Sequence, residues 1–171
     1  MSLFQTRFAT DADAESVARL VNAAFKVERF FIDRDRISAA KVRGMLQTGK
    51  FLLLEDGPAM LACVYIELRG ERCYFGLLAV DPQLQGQGLG RRMVEESENY
   101  ARDAGCRFMD LRIVNLRAEL PSFYDRLGYI VTGTAPFAGD VEPNQPCHFI
   151  NMSKPLADPK PRGSEPAAHI L

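Results

Sequence analysis

Three alternating glycines and two arginines have the types and spacing of a phosphate-binding site. Gly86, Gly88 and Gly90 lead into a predicted helix, and Arg91 and Arg92 follow them directly. The first N–H groups of a helix lack partners within it and carry partial positive charge, and glycine lets an anion approach them closely. Arginine is unfavourable beside the positive end of a helix dipole, so two arginines there indicate a negatively charged ligand. The sequence therefore predicts a site for a phosphate or pyrophosphate group.

Two common phosphate-binding loops differ from this one. A Walker A loop continues after its last glycine with Lys and then Ser or Thr, where this chain has two arginines. The dinucleotide-binding fingerprint carries another glycine at the position of Arg91, and it follows its strand without an insertion such as residues 81–85. A nucleotide-binding protein of the Rossmann type is therefore the weaker interpretation.

The loop resembles that of the GCN5-related N-acetyltransferase (GNAT) superfamily. Gln85, Gly88 and Gly90 match the superfamily signature Arg/Gln-x-x-Gly-x-Gly/Ala, and Leu-x-Val-Asp-Pro precedes them at residues 78–82. A second match lies downstream, where a predicted buried strand is followed by Phe-Tyr-x-x-x-Gly-aromatic at residues 123–129. The resemblance extends over residues 4–156.

The resemblance implies a fold and a cosubstrate. The fold is the α/β (α+β) GNAT-type acyl-CoA N-acyltransferase fold, a mixed, twisted sheet of about seven strands flanked by about four helices. The cosubstrate is acetyl-CoA, whose pantetheine arm lies between the fourth and fifth strands where they separate. Carried over by position, the cofactor-binding residues are Leu78, Ala79, Val80, Gln85, Gly86, Gln87, Gly88, Leu89, Gly90, Arg91 and Asn115. The segment after Asn115 is longer than usual in the family and contains Pro121, so a role in tying down the next helix stays open.

The resemblance also assigns catalytic roles. Tyr124 matches the family tyrosine that acts as general acid near the sulfur of CoA, and a phenol with a pKa of ~10 suits a thiolate leaving group. The alternative for Tyr124 is a core aromatic on a short helix. The predicted fourth strand carries no carboxylate, so Glu67, His148, water or no dedicated base remain candidates for the proton acceptor.

The implied function is direct transfer of an acetyl group to a primary amine of a small molecule or peptide. We expect the acceptor pocket to come from residues 26–36 and 135–146. The residues proposed for its rim mix charge with aromatic rings: Glu28, Phe30, Phe31, Asp33 and Arg34. Two alternatives are a non-catalytic acyl-CoA-binding or sensing module, and an acyltransferase that uses another acyl chain or a hydroxyl acceptor. A homodimer through an exposed last strand also stays open.

The secondary-structure elements that position these residues are predicted from the periodicity of hydrophobic residues and from the glycine, proline and turn residues that interrupt it. Thr10 with Asp13 caps a first helix, Ser38 caps a second, and Gly105 ends the long helix that follows the glycines. The predicted strands lie at residues 4–9, 50–55, 59–68, 73–80, 108–115, 128–133 and 147–153, and the long helix at residues 88–104.

Composition and charge limit the number of domains, the kinds of partner and the cellular location that we expect. The 171 residues are 47% hydrophobic and 25% charged, as in one soluble domain, which we place at residues 1–156 with a C-terminal tail at 157–171. The net charge of −1 gives no reason to expect nucleic acid or an acidic membrane as partner. There is neither a membrane-length apolar run nor a signal-peptide core, so a cytoplasmic location is expected.

The cysteines and histidines do not form a ligand pattern. The four cysteines lack Cys-x-x-Cys spacing, and the two histidines do not complete a set with them, so no metal site is expected. Cys63 and Cys73 are placed to face each other on neighbouring strands, as two small buried hydrophobes.

Overall fold

The secondary-structure elements follow the predicted order. The computed structural model describes residues 3–157. Its strands are β1 (Gln5–Phe8), β2 (Lys50–Asp56), β3 (Ala59–Arg69), β4 (Arg72–Val80), β5 (Phe108–Val114), β6 (Ile130–Pro136) and β7 (His148–Pro155). Its helices are α1 (Ala14–Ala24), α2 (Ala39–Met45), α3 (Leu89–Asp103) and α4 (Leu120–Arg126).

All seven strands belong to one mixed sheet. Their order is β1-β2-β3-β4-β5-β7-β6, and every neighbouring pair is antiparallel except β4 and β5. Strands β2, β3 and β4 form the antiparallel meander that the short turns predict, and α3 provides the crossover to β5. The predicted fold class is therefore confirmed.

The last strand is not at the edge of the sheet, contrary to our expectation. Strand β7 lies between β5 and β6, so β6 forms this edge of the sheet, with Ile130 and Val131 exposed, and β1 forms the other edge. The connection from β6 to β7 is a hairpin that folds back towards β5, and the sequence pattern of β7 alone does not show this. A dimer contact at this edge would involve β6, and the homodimer remains a prediction.

Helices cover both faces of the sheet. One core contains residues of α1 and α2, among them Val17, Val21 and Val42. The other contains Met93 of α3 and Tyr124 of α4. The predicted caps are present before the first two helices. Thr10 and Asp13 form a capping box at the short 3-10 turn Asp11–Asp13, which leads into α1, and Ser38 caps α2. Thr10 N–H donates to Asp13 Oδ2 at 2.8 Å, and Ser38 Oγ accepts from Lys41 N–H at 3.1 Å.

Cys63 and Cys73 lie on opposite faces of the sheet, which corrects the expectation that they face each other. Cys63 is paired with Ala79, whereas Cys73 is paired with Leu68. Leu68, the partner of Cys73, lies five positions after Cys63 on β3, so the alternation of side chains places the two cysteines in different cores.

The chain remains packed to the end of β7. Leu156 is buried, and its N–H donates to Arg107 O at 2.8 Å. Of the predicted tail, residues 158–171 lie outside the described residues. Within residues 3–157, no helix has the length and apolar character needed to cross a membrane.

Candidate active site

Strands β4 and β5 separate soon after they begin. They pair only through Arg72–Tyr74 and Phe108–Asp110, and β5 continues along β7. Backbone N–H and C=O groups normally find partners, so the second half of β4 presents an edge on which an extended ligand can pair.

A bulge lies on this part of β4. Cys63 pairs with Ala79 and Tyr65 pairs with Gly76, so two residues of β4 lie opposite one residue of β3. One of them, Leu77, has a φ of 50°, in the left-handed region that side chains seldom adopt. Such bulges re-aim backbone groups and concentrate at functional sites. No residue type in the sequence indicated it, because leucine is an unusual choice for this conformation.

The separation of the strands forms a cleft of about 440 Å³. One wall is β4, including Leu78, and the facing wall is β5 from Leu111 to Val114. Tyr124 of α4 also lines it. Further wall residues lie at 25–41 and 137–141, which overlap the two segments predicted for the acceptor pocket. We call residues 26–36 the connector and residues 135–146 the late loop.

The glycine loop begins directly after β4. Gly86 and Gly88 have φ of 82° and 81°, and an added Cβ would meet no atom within 4 Å at either position, so conformation rather than crowding requires glycine. Gly88 is the N-cap of α3, whose first turn holds no acidic residue. Gln85 Nε2 donates to Val80 O at 3.3 Å and ties the loop to the end of β4. The loop therefore leaves the start of α3 open to an anion.

The two arginines after the loop are placed differently. Arg91 is 68% exposed and pairs with Glu95 at 3.0 Å, a surface contact that is weak enough to be exchanged for a phosphate. Arg92 Nη2 donates to Phe4 O at 3.4 Å, which holds its side chain towards the N-terminal strand. Arg91 is the better candidate for an anion contact.

Tyr124 is a buried phenol in the wall of the cleft. It is 6% exposed and lies among the rings of Phe75, Phe123 and Tyr129, with ring centroids 4.9 to 6.0 Å away. Burial raises the pKa of Tyr124 above its ordinary value, although the charge of Arg117 opposes the rise. The phenol therefore keeps its proton at neutral pH and can donate it. Pro121 lies in the first turn of α4, where proline is tolerated.

The two predicted base candidates do not line the cleft. Glu67 accepts hydrogen bonds from Arg69 Nε at 3.0 Å and Tyr65 Oη at 2.8 Å, and the bond from Arg69 lowers the pKa of Glu67. His148 is exposed at the start of β7, and its N–H donates to Asn115 Oδ1 at 2.9 Å. Asn115 thus ties β5 to β7 and is likewise absent from the lining, so its contact with a cofactor stays a prediction.

The structure brings a different carboxylate into the cleft. Glu28 is buried there, with Arg117 Nη1 at 3.1 Å from Oε1 and Arg36 Nε at 3.8 Å from Oε2. Burial raises the pKa of Glu28, against the lowering effect of the two arginines. The sequence placed Glu28 in the acceptor rim but did not single out its arginine partners.

The other expected rim residues are arranged differently. Phe31 is buried in a small core, while Phe30, Asp33 and Arg34 are exposed and do not line the cleft. In the sequence, the apolar run Phe30–Ile32 indicates that the connector packs against the sheet. This packing also buries residues next to the run, including Glu28.

Residues 47–131 match the family model described as the acetyltransferase (GNAT) domain. This stretch includes the glycine loop and Tyr124. No curated protein matches the chain at a significant level.

Several solved structures share the fold at low sequence identity. The ribosomal-protein-S18-alanine N-acetyltransferase from Escherichia coli is 16% identical, with a TM-score of 0.72 over 94% of this chain and 98% of that one. The yncA protein from Salmonella typhimurium, solved with its cofactor acetyl-CoA, is 21% identical, with a TM-score of 0.68 over the same shares. Ard1 from Thermoplasma volcanium is 15% identical, with a TM-score of 0.74 over 91% and 99%. At these identities the likeness establishes the architecture alone.

Proposed function

Because the chain belongs to the GNAT acetyltransferase superfamily, we propose that it is an acetyl-CoA-dependent N-acetyltransferase that acts on a primary amine. The observation that carries the proposal is the separation of β4 from β5 beside a buried tyrosine, directly before a helix start that is open to an anion. Along β4 and the loop that follows it, these features would supply an edge for an extended arm, a proton donor and a phosphate site.

The residues of the site fit acetyl-CoA. The backbone groups of Leu78, Ala79 and Val80 lie on the part of β4 that is unpaired with β5, where they would bind the pantetheine amides. The N–H groups of residues 85–90 and the guanidinium of Arg91 would bind the pyrophosphate. When bound, acetyl-CoA supplies the acetyl thioester.

The chemistry required of the chain is orientation and one proton donation. An amine that attacks the acetyl carbon forms a C–N bond while the C–S bond breaks, the nitrogen loses a proton, and the sulfur gains one. Tyr124 Oη would donate to the departing sulfur and recover its proton from solvent. The proton of the amine leaves to solvent or to a carboxylate of the cleft.

Two alternative functions would also use parts of this site. A non-catalytic acyl-CoA sensor would need the glycine loop and the β4 edge but not the Tyr124 hydroxyl. An acyltransferase with another acyl chain or a hydroxyl acceptor would use the same site. The charged groups around Glu28, which neither cofactor binding nor acyl-chain recognition requires, support an enzyme with a polar acceptor.

The first test is calorimetric titration with acetyl-CoA, with ATP and NADH as controls. We expect acetyl-CoA alone to bind, after which release of free thiol with a panel of amines would detect turnover. Equal binding of all three ligands, or none, would refute the proposal. Tight acetyl-CoA binding without turnover of any amine or hydroxyl compound would favour the sensor.

A further inference from the structure

A buried cluster of charged side chains lies in the wall of the cleft contributed by the connector. The Glu28 side chain is 6% exposed, and Arg117 donates to its Oε1 at 3.1 Å. Arg117 also bonds Glu119 at 2.7 Å, so its charge is shared between two carboxylates. Arg36 approaches Glu28 from the other side and is one-third exposed.

Two buried atoms of this cluster have no hydrogen-bond partner within residues 3–157. They are Glu28 Oε2, an acceptor, and Arg36 Nε, a donor. The 3.8 Å between them is too long for a hydrogen bond. Buried polar atoms are normally paired, so this acceptor and this donor fit a ligand that offers a donor and an acceptor close together.

The charge on the walls of the cleft favours an anionic group on that ligand. Four basic and two acidic residues line the cleft: Arg36, Lys41, Arg112, Arg117, Glu28 and Asp140. Lys41 pairs with Asp140, and Arg117 pairs with Glu28. Two of the arginines lack a close carboxylate: Arg112 lies over the ring of Phe149, and Arg36 makes only a long contact to Glu28. Because Arg36 lies beside Glu28, it is the guanidinium placed to hold a carboxylate next to that residue.

We propose that the acceptor is a small α-amino acid, with its amino group on Glu28 Oε2 and its carboxylate on Arg36. This inference rests on the proposed acetyl transfer and names its acceptor class. An α-amino acid carries its hydrogen-bond donor and its anionic acceptor on adjacent carbons, which suits two unpaired atoms this close. A peptide N-terminus or a lysine side chain lacks the adjacent carboxylate.

The cluster adjoins a small core and lines the same cleft as the predicted proton donor. Phe31 and Ile32 follow Glu28 closely and pack with Val114 and Phe149 in a small core. Asn144 N–H donates to Phe31 O at 2.8 Å, which joins the connector to the late loop. Arg117, which bonds Glu28, lines the same cleft as Tyr124, so an amine on Glu28 would share that cleft with the predicted general acid.

The test compares L-amino acids with their methyl esters and amides, titrated calorimetrically into the protein saturated with CoA. We expect at least one acid to bind tenfold or more tightly than its ester. Arg36→Gln should abolish that difference while changing ester binding less than twofold, and Arg36→Lys should retain part of it because the charge remains. Arg34→Gln, which removes an exposed arginine of the same connector, should preserve it.

Turnover gives an independent result. In Arg36→Gln we expect KM for the preferred acid to rise at least tenfold with kcat nearly unchanged, which a general loss of folding would not produce. The inference is overturned, with the proposed function intact, if acetyl-CoA binds but no amino acid does, or if esters and amides bind as tightly as acids. If acetyl-CoA itself does not bind, the proposed function fails, and this inference fails with it.

Discussion

A buried phenol keeps its proton, and this property limits what Tyr124 can do. Because burial raises its pKa, Tyr124 is a poor base over the neutral range, yet it can donate to a group that becomes strongly basic as a bond breaks. The surrounding rings of Phe75, Phe123 and Tyr129 fix its position without occupying its hydroxyl.

Tyr124→Phe should lower kcat by roughly 10²-fold, as expected for loss of a general acid, and leave the Kd for acetyl-CoA nearly unchanged. Steady-state kinetics and calorimetry on the same preparation would measure both values. Tyr100→Phe is the matched control, because Tyr100 lies on α3 and packs against Phe8 of β1, away from the cleft. Unchanged turnover in Tyr124→Phe would remove the general-acid role.

Gly88→Glu should weaken acetyl-CoA binding by more than 100-fold. It places a negative charge at the N-cap of α3, where the pyrophosphate is proposed to bind, and the loop has room for the side chain. Gly57→Glu is the control for backbone strain: Gly57 also has a positive φ and open space, but it lies in the turn between β2 and β3. Calorimetry and thermal unfolding would separate lost binding from lost stability, and normal binding by Gly88→Glu would contradict the loop assignment.

Sequence could predict the glycine loop before α3 but not the charged cluster. Gly86 to Arg91 form one continuous segment, so a local pattern carries the information. Glu28, Arg36 and Arg117 come together only because the connector folds over β5, with Glu28 and Arg117 separated by 89 positions. Burial of an otherwise ordinary glutamate depends on that long-range packing and leaves no local pattern.

At the scale of elements, Arg7 joins β1 to β2 and to the start of α1. Its guanidinium makes paired bonds with Asp13 at 2.8 and 2.9 Å and with Glu55 at 2.7 and 3.0 Å. The hydrogen bonds from Arg7 lower the pKa of Asp13 to about 2.

This pKa shift predicts a pH-dependent stability. The pKa of Asp13 is lower in the folded chain than in the unfolded chain, so its contribution is complete above about pH 4 and disappears as the pH falls towards 2. We expect Asp13→Asn to reduce the free energy of unfolding by about 1 kcal/mol at pH 7, allowing for the exposure of Arg7, and by almost nothing near pH 2. Denaturant titrations at several pH values would measure this, with Asp11→Asn as the exposed control. A difference independent of pH would show that the ion pair is not responsible.

Sequence periodicity was sufficient for the strands and helices but not for their irregularities. Turns such as Asp56–Pro58 and caps such as Ser38 are local, and they appear where predicted. The bulge at Leu77 and the insertion of β7 beside β5 depend on pairing between distant segments. The opposite faces of Cys63 and Cys73 follow from the register of the hairpin between β3 and β4, which places Cys73 beside Leu68, an odd number of positions from Cys63.

At the scale of the whole molecule, three residue pairs join β4 to β5, whereas the other long neighbouring strands pair over most of their length. A ligand that pairs with the free edge of β4 and contacts β5 would connect the two parts of the sheet. Acetyl-CoA at 100 times its Kd should add about 2.7 kcal/mol to the free energy of unfolding. For a chain of this size that corresponds to a rise in Tm of roughly 5 to 10 °C. Thermal scans with acetyl-CoA and with NADH would test this, and no rise with acetyl-CoA would argue against binding between the strands.

The incomplete pairing of β4 and β5 also bears on the lifetime of the protein in a cell. Proteases cleave chains that open, at rates set by the population of opened molecules, and ligand binding reduces that population. If the cosubstrate joins the two parts of the sheet, each molecule is protected from degradation while it is loaded. The amount of this protein would then rise and fall with the supply of coenzyme A and its acetyl ester, without any change in the synthesis of its messenger RNA.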